Sequence, residues 1–277
     1  MRLYAAAVYA FLYSPIALIV LFSFNAGRSA TQFMCCSVDW YPRTFGNELM
    51  VEALINSLII AGTTATFATL FGTMAALGLQ RVRGIARLTY DVLIYIAIII
   101  PGIVIGIATL VALVTVFGAI NPVLAVIIPG GEGPPPVQLG FGLGSVIAAH
   151  TLFTMALVVV IVRARIAGMD RSLIEASADL YATPWRTFMQ VTLPQLLPAV
   201  LSGFLLSFTF SFDDFIVAFF VAGPITTLPI YVFSSIRRGV TPEINVIATV
   251  VMTVSLTLLV IVQQLLQRQR RRQSVKA

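Results

Sequence analysis

Six long apolar stretches dominate this sequence and limit what it can fold into. They cover residues 4–25, 52–79, 89–117, 143–163, 195–222 and 243–266. Each is long enough to cross a hydrocarbon core of about 30 Å, which takes about 20 helical residues. Only 10% of the 277 residues are charged, against roughly 25% in a soluble domain. The sequence therefore predicts an all-α integral membrane protein with about six transmembrane helices.

The basic residues predict how these helices are oriented. If the N-terminus is inside, only four of the 17 basic residues fall in outer segments, namely Arg28, Arg43, Arg237 and Arg238. The positive-inside rule then places both termini in the cytoplasm. The first apolar stretch is longer than the core of a signal peptide, so we expect an uncleaved first helix. The net charge of +6 lies in short clusters without a basic stripe, and no nucleic-acid binding is predicted.

The two cysteines and the other reactive side chains predict little chemistry. Cys35 and Cys36 are adjacent, and neighbouring cysteines rarely satisfy disulfide geometry, so we interpret them as two incidental thiols. Two ligands do not make a metal site. No catalytic set of residues stands out, and no catalytic or metal site is predicted.

The inner segment between the fourth and fifth stretches is patterned as two short helices. Ser172 and Glu175 have capping-box spacing, which predicts a first helix with Ser172 as its N-cap. Thr183 followed by Pro184 predicts the start of a second helix. We expect Pro194 to end that helix before the fifth span begins.

The surface of this segment predicts a docking site for a cytoplasmic partner. Small residues would let another backbone approach closely, and the apolar groups exceed what a solvated loop needs. The small residues are Ala176, Ser177, Ala178 and Ala182, and the apolar ones are Leu180, Trp185 and Phe188.

Residues 175–194 resemble the EAA motif of ABC-importer permeases in spacing and in flanking residues. The resemblance implies cytoplasmic coupling helices at about 172–192, which sit in a groove of a separate ATPase subunit. The residues it assigns to that coupling are Glu175, Ala176, Ser177, Asp179, Tyr181, Ala182 and Arg186.

Tyr181 departs from the motif, which has glycine at that position. The family glycine ends the first helix, where a positive φ is often needed. A tyrosine there would be strained by about 1 kcal/mol or more. Two possibilities follow: the turn is built differently, or Tyr181 contacts the ATPase directly.

Other parts of the chain resemble the second permease of the spermidine/putrescine branch. The segments that carry this likeness are 13–25, 208–224 and 239–245. The resemblance implies a type I ABC-importer permease fold over 1–277, as a single transmembrane permease domain in a bacterial inner membrane. It also implies a sister permease subunit, two copies of a cytoplasmic ATPase and an extracytoplasmic binding protein. The resemblance implies polyamines (spermidine or putrescine) as the solute, and the alternatives are iron(III) and aminoethylphosphonate, which relatives in this branch carry.

The energy source of such an importer must lie in another chain. A phosphate-binding loop needs a lysine after a glycine-rich turn, and the only lysine here is Lys276, without those glycines. We therefore expect this chain to be a transport subunit that is not itself an enzyme and binds no cofactor, with ATP and Mg²⁺ on the partner.

Polar groups inside the spans are candidates for the substrate path. Asp213 and Asp214 lie in the fifth stretch, where a carboxylate facing lipid costs about 2.5–3.5 kcal/mol. One of them could line the path, while the other bonds to a neighbouring helix or caps a break; structural roles for both are the alternative. The lone His150 is interpreted as a helix–helix hydrogen-bond partner.

Two spacing patterns predict packing around these groups. Phe208, Phe212, Phe215 and Phe219 form a stripe at i, i+4, i+7 and i+11, which indicates packing or lipid contact, with cation–π contact to an amine as the alternative. Gly102 and Gly106 have the GxxxG spacing of close helix contacts, in a span kinked at Pro101.

A secondary transporter or channel working alone is the rival interpretation. Such proteins often contain internal repeats and several titratable groups at mid-membrane. We find no repeat in this sequence, and the double helix on the inner side has no evident use in that class.

Overall fold

The computed structural model describes residues 1–29, 32–128, 138–170, 172–239 and 241–274, and only the helical backbone at 258, 259 and 261–274. These parts of the chain contain helices and no strand. The helices are α1 Arg2–Ser23, α2 Trp40–Phe45, α3 Glu48–Gly78, α4 Gly84–Ile99, α5 Gly102–Ile127, α6 Leu143–Ala167, α7 Ser172–Asp179, α8 Pro184–Thr187, a π-helical turn Phe188–Thr192, α9 Leu193–Asp213, α10 Ile216–Val221, α11 Leu228–Arg238 and α12 Pro242–Ser274.

The membrane-spanning helices follow the apolar stretches of the sequence. Five helical segments are long and apolar enough to cross a membrane: Arg2–Ser23, Glu48–Gly78, Gly102–Ile127, Leu143–Ala167 and Pro184–Asp213. A shorter apolar helix, Pro242–Thr257, lies at the sixth predicted span. The prediction of an all-α membrane protein is confirmed.

The third predicted span is two helices instead of one. The chain breaks between α4 and α5, where Ile100 has an extended backbone with ψ 134°. A residue before proline is pushed out of the helical region, and Pro101 provides that proline. The prolines and glycines of the outer stretch 118–142 predict no helix there. This prediction is wrong for the first part of the stretch, because α5 continues to Ile127 with Pro122 inside it. The proline-rich residues 129–136 lie outside the described residues.

The contacts divide the chain into two compact units, residues 1–51 with 231–277 and residues 52–230. In the first unit α1 packs against α12. Asn47 donates to a carboxylate oxygen of Glu243 at 2.7 Å and to the Tyr231 hydroxyl at 3.0 Å. The single permease domain expected over 1–277 stays a prediction.

The outer loop of the first unit contains the two cysteines. Cys35 and Cys36 are joined in a disulfide, so the expectation of two incidental thiols is wrong. The same loop is organised around buried Asn25, whose amide donates to the carbonyls of Ser29 and Gln32, while its oxygen accepts from Met34 N–H at 2.7 Å. These bonds satisfy backbone N–H and carbonyl groups of the loop, which would otherwise need water as their hydrogen-bond partner.

Helix α6 is the central element of the second unit. It packs on α9, α4 and α10, and its buried valines fill the core beside α3 and α9. Val158 sits between two glycines, because a Cβ at Gly72 would come within 2.8 Å of it and one at Gly203 within 3.2 Å. Small residues thus let three helices approach each other closely, as is typical of membrane bundles.

Candidate coupling segment and intramembrane carboxylates

Helix α7 begins with a cap that differs from the predicted one. Ser172 is the first helical residue, and its N–H donates to Asp170 Oδ1 at 2.9 Å. The N-cap role expected for Ser172 is therefore wrong: the acidic side chain two residues earlier satisfies the helix start. Bonds from Ser172 hold the pKa of Asp170 below its usual value. This contact stabilises the helix start above about pH 4 and is lost as pH falls further.

Helix α7 ends in a Schellman motif, with Tyr181 in the position usually held by glycine. The N–H of Ala182 donates to Ser177 O at 3.1 Å, and the N–H of Tyr181 donates to Ala178 O at 2.9 Å. These are the 6→1 and 5→2 bonds of the motif. Tyr181 has φ +56°, and it is the only non-glycine residue with positive φ in the described parts of the chain. Of the two possibilities left open by the sequence, a differently built turn is excluded.

The second short helix starts as predicted. Thr183 is the N-cap of α8, with its hydroxyl accepting from Arg186 N–H at 3.4 Å and Pro184 at the first helical position. The hydroxyls of Ser177 and Thr187 lie 2.8 Å apart and tie α7 to α8. The two helices are thus held together by their own side chains as a helix–turn–helix.

Pro194 does not end the second helix, contrary to expectation. The chain remains helical from Pro184 through the π-turn Phe188–Thr192 into α9. Pro194 lies in the first turn of α9, directly after the wider i→i+5 turn that marks the change of register. The second coupling helix and the fifth span are therefore one continuous helical run.

Most residues assigned to coupling lie on the surface of this chain. The exposed ones are Glu175, Ala176, Asp179, Tyr181 and Arg186, while Ser177 and Ala182 are half-buried in the turn. Three large apolar side chains of the segment are highly exposed: Leu180 is 81% exposed, Tyr181 is 96% exposed and Trp185 is 66% exposed. Large apolar groups so exposed on a cytoplasmic segment are typical of a protein interface.

Tyr181→Gly should relieve the strain at this turn. We expect the free energy of local unfolding of the segment to rise by about 1 kcal/mol, because glycine adopts positive φ without penalty. Tyr181→Ala is the matched control, since it removes the ring but keeps a Cβ in the strained conformation. Amide hydrogen exchange in α7 and α8 measures the gain; equal exchange in the two variants would contradict it.

The fifth predicted span is broken at the aspartates. Helix α9 ends at Asp213, and α10 begins at Ile216. Asp214 has an extended backbone, and its Oδ2 accepts from the N–H groups of Val217 at 2.9 Å and Ala218 at 3.1 Å. Asp214 therefore caps the second half of the span, which is one of the roles proposed for it.

A buried histidine on α6 holds the same carboxylate. His150 is 1% exposed, its Nε2 lies 3.3 Å from Asp214 Oδ2, and its Nδ1 lies 2.8 Å from the Ser211 hydroxyl. The Nε2 contact is close but is not aligned as a hydrogen bond. The interpretation of His150 as a helix–helix partner is confirmed. We did not single out Ser211 from the sequence. Its position on α9, three residues before Asp214, was a usable signal, because side chains at that spacing are neighbours on a helix.

Asp213 differs from Asp214 in its exposure and in its side-chain partners. It is exposed on this chain and has no hydrogen-bond or ion-pair partner among the described residues. The two adjacent carboxylates thus have different environments: one is held by the fold, and the other has no partner among the described residues. The break also divides the phenylalanine stripe into two ring pairs, Phe208 with Phe212 and Phe215 with Phe219, at 6.0 and 5.4 Å between centroids.

The GxxxG glycines position the half-helix that follows the break. A Cβ at Gly106 would lie 2.6 Å from the Phe220 ring, and one at Gly102 would lie 3.7 Å from Ile216. Helix α5 therefore packs directly on α10 through its small residues, as predicted.

Gly106→Val should destabilise the packing of α5 on α10. We expect a loss of about 1–3 kcal/mol, the usual cost of overpacking. Gly118→Val is the control on the same helix, because a Cβ there meets nothing within 4 Å. Thermal unfolding in detergent compares the two variants, and equal midpoints would contradict the close packing.

The fold defined by these helices is that of ABC-transporter permeases. The chain superposes with a TM-score of 0.69 at 18% identity on a structure from a bacterial ABC transporter that imports the acidic polysaccharide alginate, covering 97% of this chain and 94% of the other. A structure of the methionine transporter MetNI in an inward-facing conformation gives a TM-score of 0.54 at 20% identity, over 79% and 92% of the two chains. The type I permease fold expected from the sequence is confirmed.

Sequence comparison identifies the family. Residues 68–273 match the family described as the inner membrane component of binding-protein-dependent transport systems, and the chain belongs to that family. It is 38% identical over 248 residues to the putrescine transport system permease PotI of Escherichia coli K12, covering 88% of this chain and 82% of the relative. It is 37% identical to the spermidine/putrescine permease PotC of Haemophilus influenzae, over 92% of each. The chain is thus a multi-pass inner-membrane transport subunit.

Proposed function

We propose that this chain forms half of the translocation path of an ATP-driven importer for polyamines such as putrescine and spermidine. The observation that carries the proposal is the likeness to PotI and PotC along most of the chain. The free carboxylate of Asp213 supports it, because polyamines are cations and pair directly with a carboxylate in a low-dielectric path.

We assign ATP hydrolysis to a separate subunit. Two ATPase copies, which bind ATP and Mg²⁺, would dock on the coupling segments of this chain and of a sister permease. The exposed residues at this site are Glu175, Ala176, Asp179, Tyr181 and Arg186, and the half-buried Ser177 and Ala182 shape the turn. An extracytoplasmic binding protein would deliver the solute, in keeping with the family description.

Deletion of this gene in its host tests the proposal. Uptake of labelled putrescine or spermidine should fall to background and return with the wild-type gene on a plasmid. Uptake of labelled iron(III) and of labelled aminoethylphosphonate is measured in the same strains. Loss of uptake of one of those solutes with normal polyamine uptake would overturn the assigned solute, and normal uptake of all would overturn the transport role of this chain.

A further inference from the structure

Two adjoining cavities run along α3, α4 and α6 in the second unit. The first, of about 420 Å³, is lined by the polar side chains Gln80, Arg87 and Arg163. The second, of about 730 Å³, has apolar walls that include Leu93, Leu152 and Val159. Both are lined by Leu79, so the charged cavity and the apolar groove adjoin at this residue.

The position of the cavities along α6 matches one leaflet of a membrane. The polar cavity touches this helix from Val160 to Ala167, and the apolar one from Leu152 to Val159. From Leu152 to Ala167 the helix rises about 22 Å, against about 15 Å for half of a hydrocarbon core. The arginines predict that the Ala167 end is cytoplasmic. Along α6 the polar cavity therefore begins at headgroup level, and the groove lies at the depth of the acyl chains.

The polar cavity has an excess of positive charge. Arg163 donates to Asp91 Oδ1, and Arg87 Nε lies 3.9 Å from Asp91 Oδ2 with its side chain 53% exposed. Two guanidinium groups thus share one carboxylate, which leaves one positive charge and several N–H donors without a protein anion. Arginine N–H groups fit phosphate oxygens well.

We propose that this groove binds an anionic phospholipid of the cytoplasmic leaflet. The phosphate lies at Arg87 and Arg163, and one acyl chain lies between α3, α4 and α6. Basic pockets between helices on the cytoplasmic side bind anionic headgroups in this way. The acyl chain covers Leu93 and Leu152, which are 55% and 60% exposed on the chain alone.

Two variants with matched controls separate the headgroup from the acyl chain. Arg87→Gln removes the more exposed charge and leaves the Arg163–Asp91 pair intact; its control is Arg83→Gln, in the same inner segment but outside the cavity lining. Gly78→Leu places a side chain in the groove, since a Cβ there meets nothing within 4 Å. Its control is Gly62→Leu, on the same helix with equal space but outside the groove.

Native mass spectrometry of the full chain in its transporter assembly provides the test, with phosphatidylglycerol and phosphatidylcholine as probes. The wild type should retain phosphatidylglycerol preferentially. Arg87→Gln should reduce that preference about fivefold, the effect of one surface charge, and Gly78→Leu should reduce binding of both lipids. Neither control should change binding.

Three results would overturn the lipid site. The first is equal retention of the two lipids by the wild type, and the second is an equal effect of Arg83→Gln and Arg87→Gln. The third would come from a photo-crosslinking residue in place of Leu93. We expect this residue to crosslink to lipid. A crosslink to the sister permease would instead show that a protein helix occupies the groove.

Discussion

Asp213→Asn is expected to lower polyamine uptake at least about tenfold while leaving the fold intact. The carboxylate is exposed and has no partner among the described residues, so the amide costs the chain no contact. A charge-assisted bond to an ammonium group is worth about 1.5–3 kcal/mol, and each 1.4 kcal/mol corresponds to a factor of ten. Initial uptake rates of labelled spermidine, normalised to the amount of chain in the membrane, measure the loss.

Asp214 variants provide the matched comparison at the adjacent position. Asparagine caps helices about as well as aspartate, so Asp214→Asn should fold normally and lose less uptake than Asp213→Asn. Asp214→Ala removes the cap over Val217 and Ala218 and should lower stability by about 1–2 kcal/mol. Full uptake by both asparagine variants would remove the role of Asp213 in the path.

Ala176→Trp should uncouple uptake from ATP hydrolysis, with at least about a tenfold loss of transport. Ala176 is exposed on α7 beside Glu175, where an indole would hold a docked subunit away from the helix surface. Interfaces tolerate such misfits poorly, because their centres are as closely packed as protein interiors. Copurification of the ATPase with this chain and the uptake rate are measured together.

Ala119→Trp is the control for this substitution. Ala119 is also an exposed helical alanine, but it lies near the predicted outer end of α5. Its variant should retain the ATPase. Wild-type copurification and uptake in Ala176→Trp would show that α7 is not the docking surface.

The spans could be predicted from the sequence because apolar length is a local property. The break at Pro101 had a visible cause, since a proline restricts the residue before it. The break at Asp214 had no proline or glycine to mark it, and its only signal was an aspartate before a short apolar run. The partnership of Asp214 with His150 depends on the packing of α9 against α6, which no local pattern encodes.

Two other positions show where local rules mislead. At Tyr181 the family motif pointed to a positive φ, whereas the propensity of tyrosine pointed away from it. The bonds from Ala182 and Tyr181 to the end of α7 impose the conformation. At Cys35 and Cys36 the general rarity of bonded neighbours gave the wrong expectation, because the two are joined in a disulfide.

The uninterrupted helix from Pro184 to Asp213 has a mechanical consequence. Its 30 residues extend over about 45 Å, with one end at the proposed docking surface and the other at the free carboxylate. A tilt of about 5° about one end displaces the other by about 4 Å over that length. A small angular movement at the docking end would therefore displace the carboxylate end by a distance comparable to the size of an ammonium group.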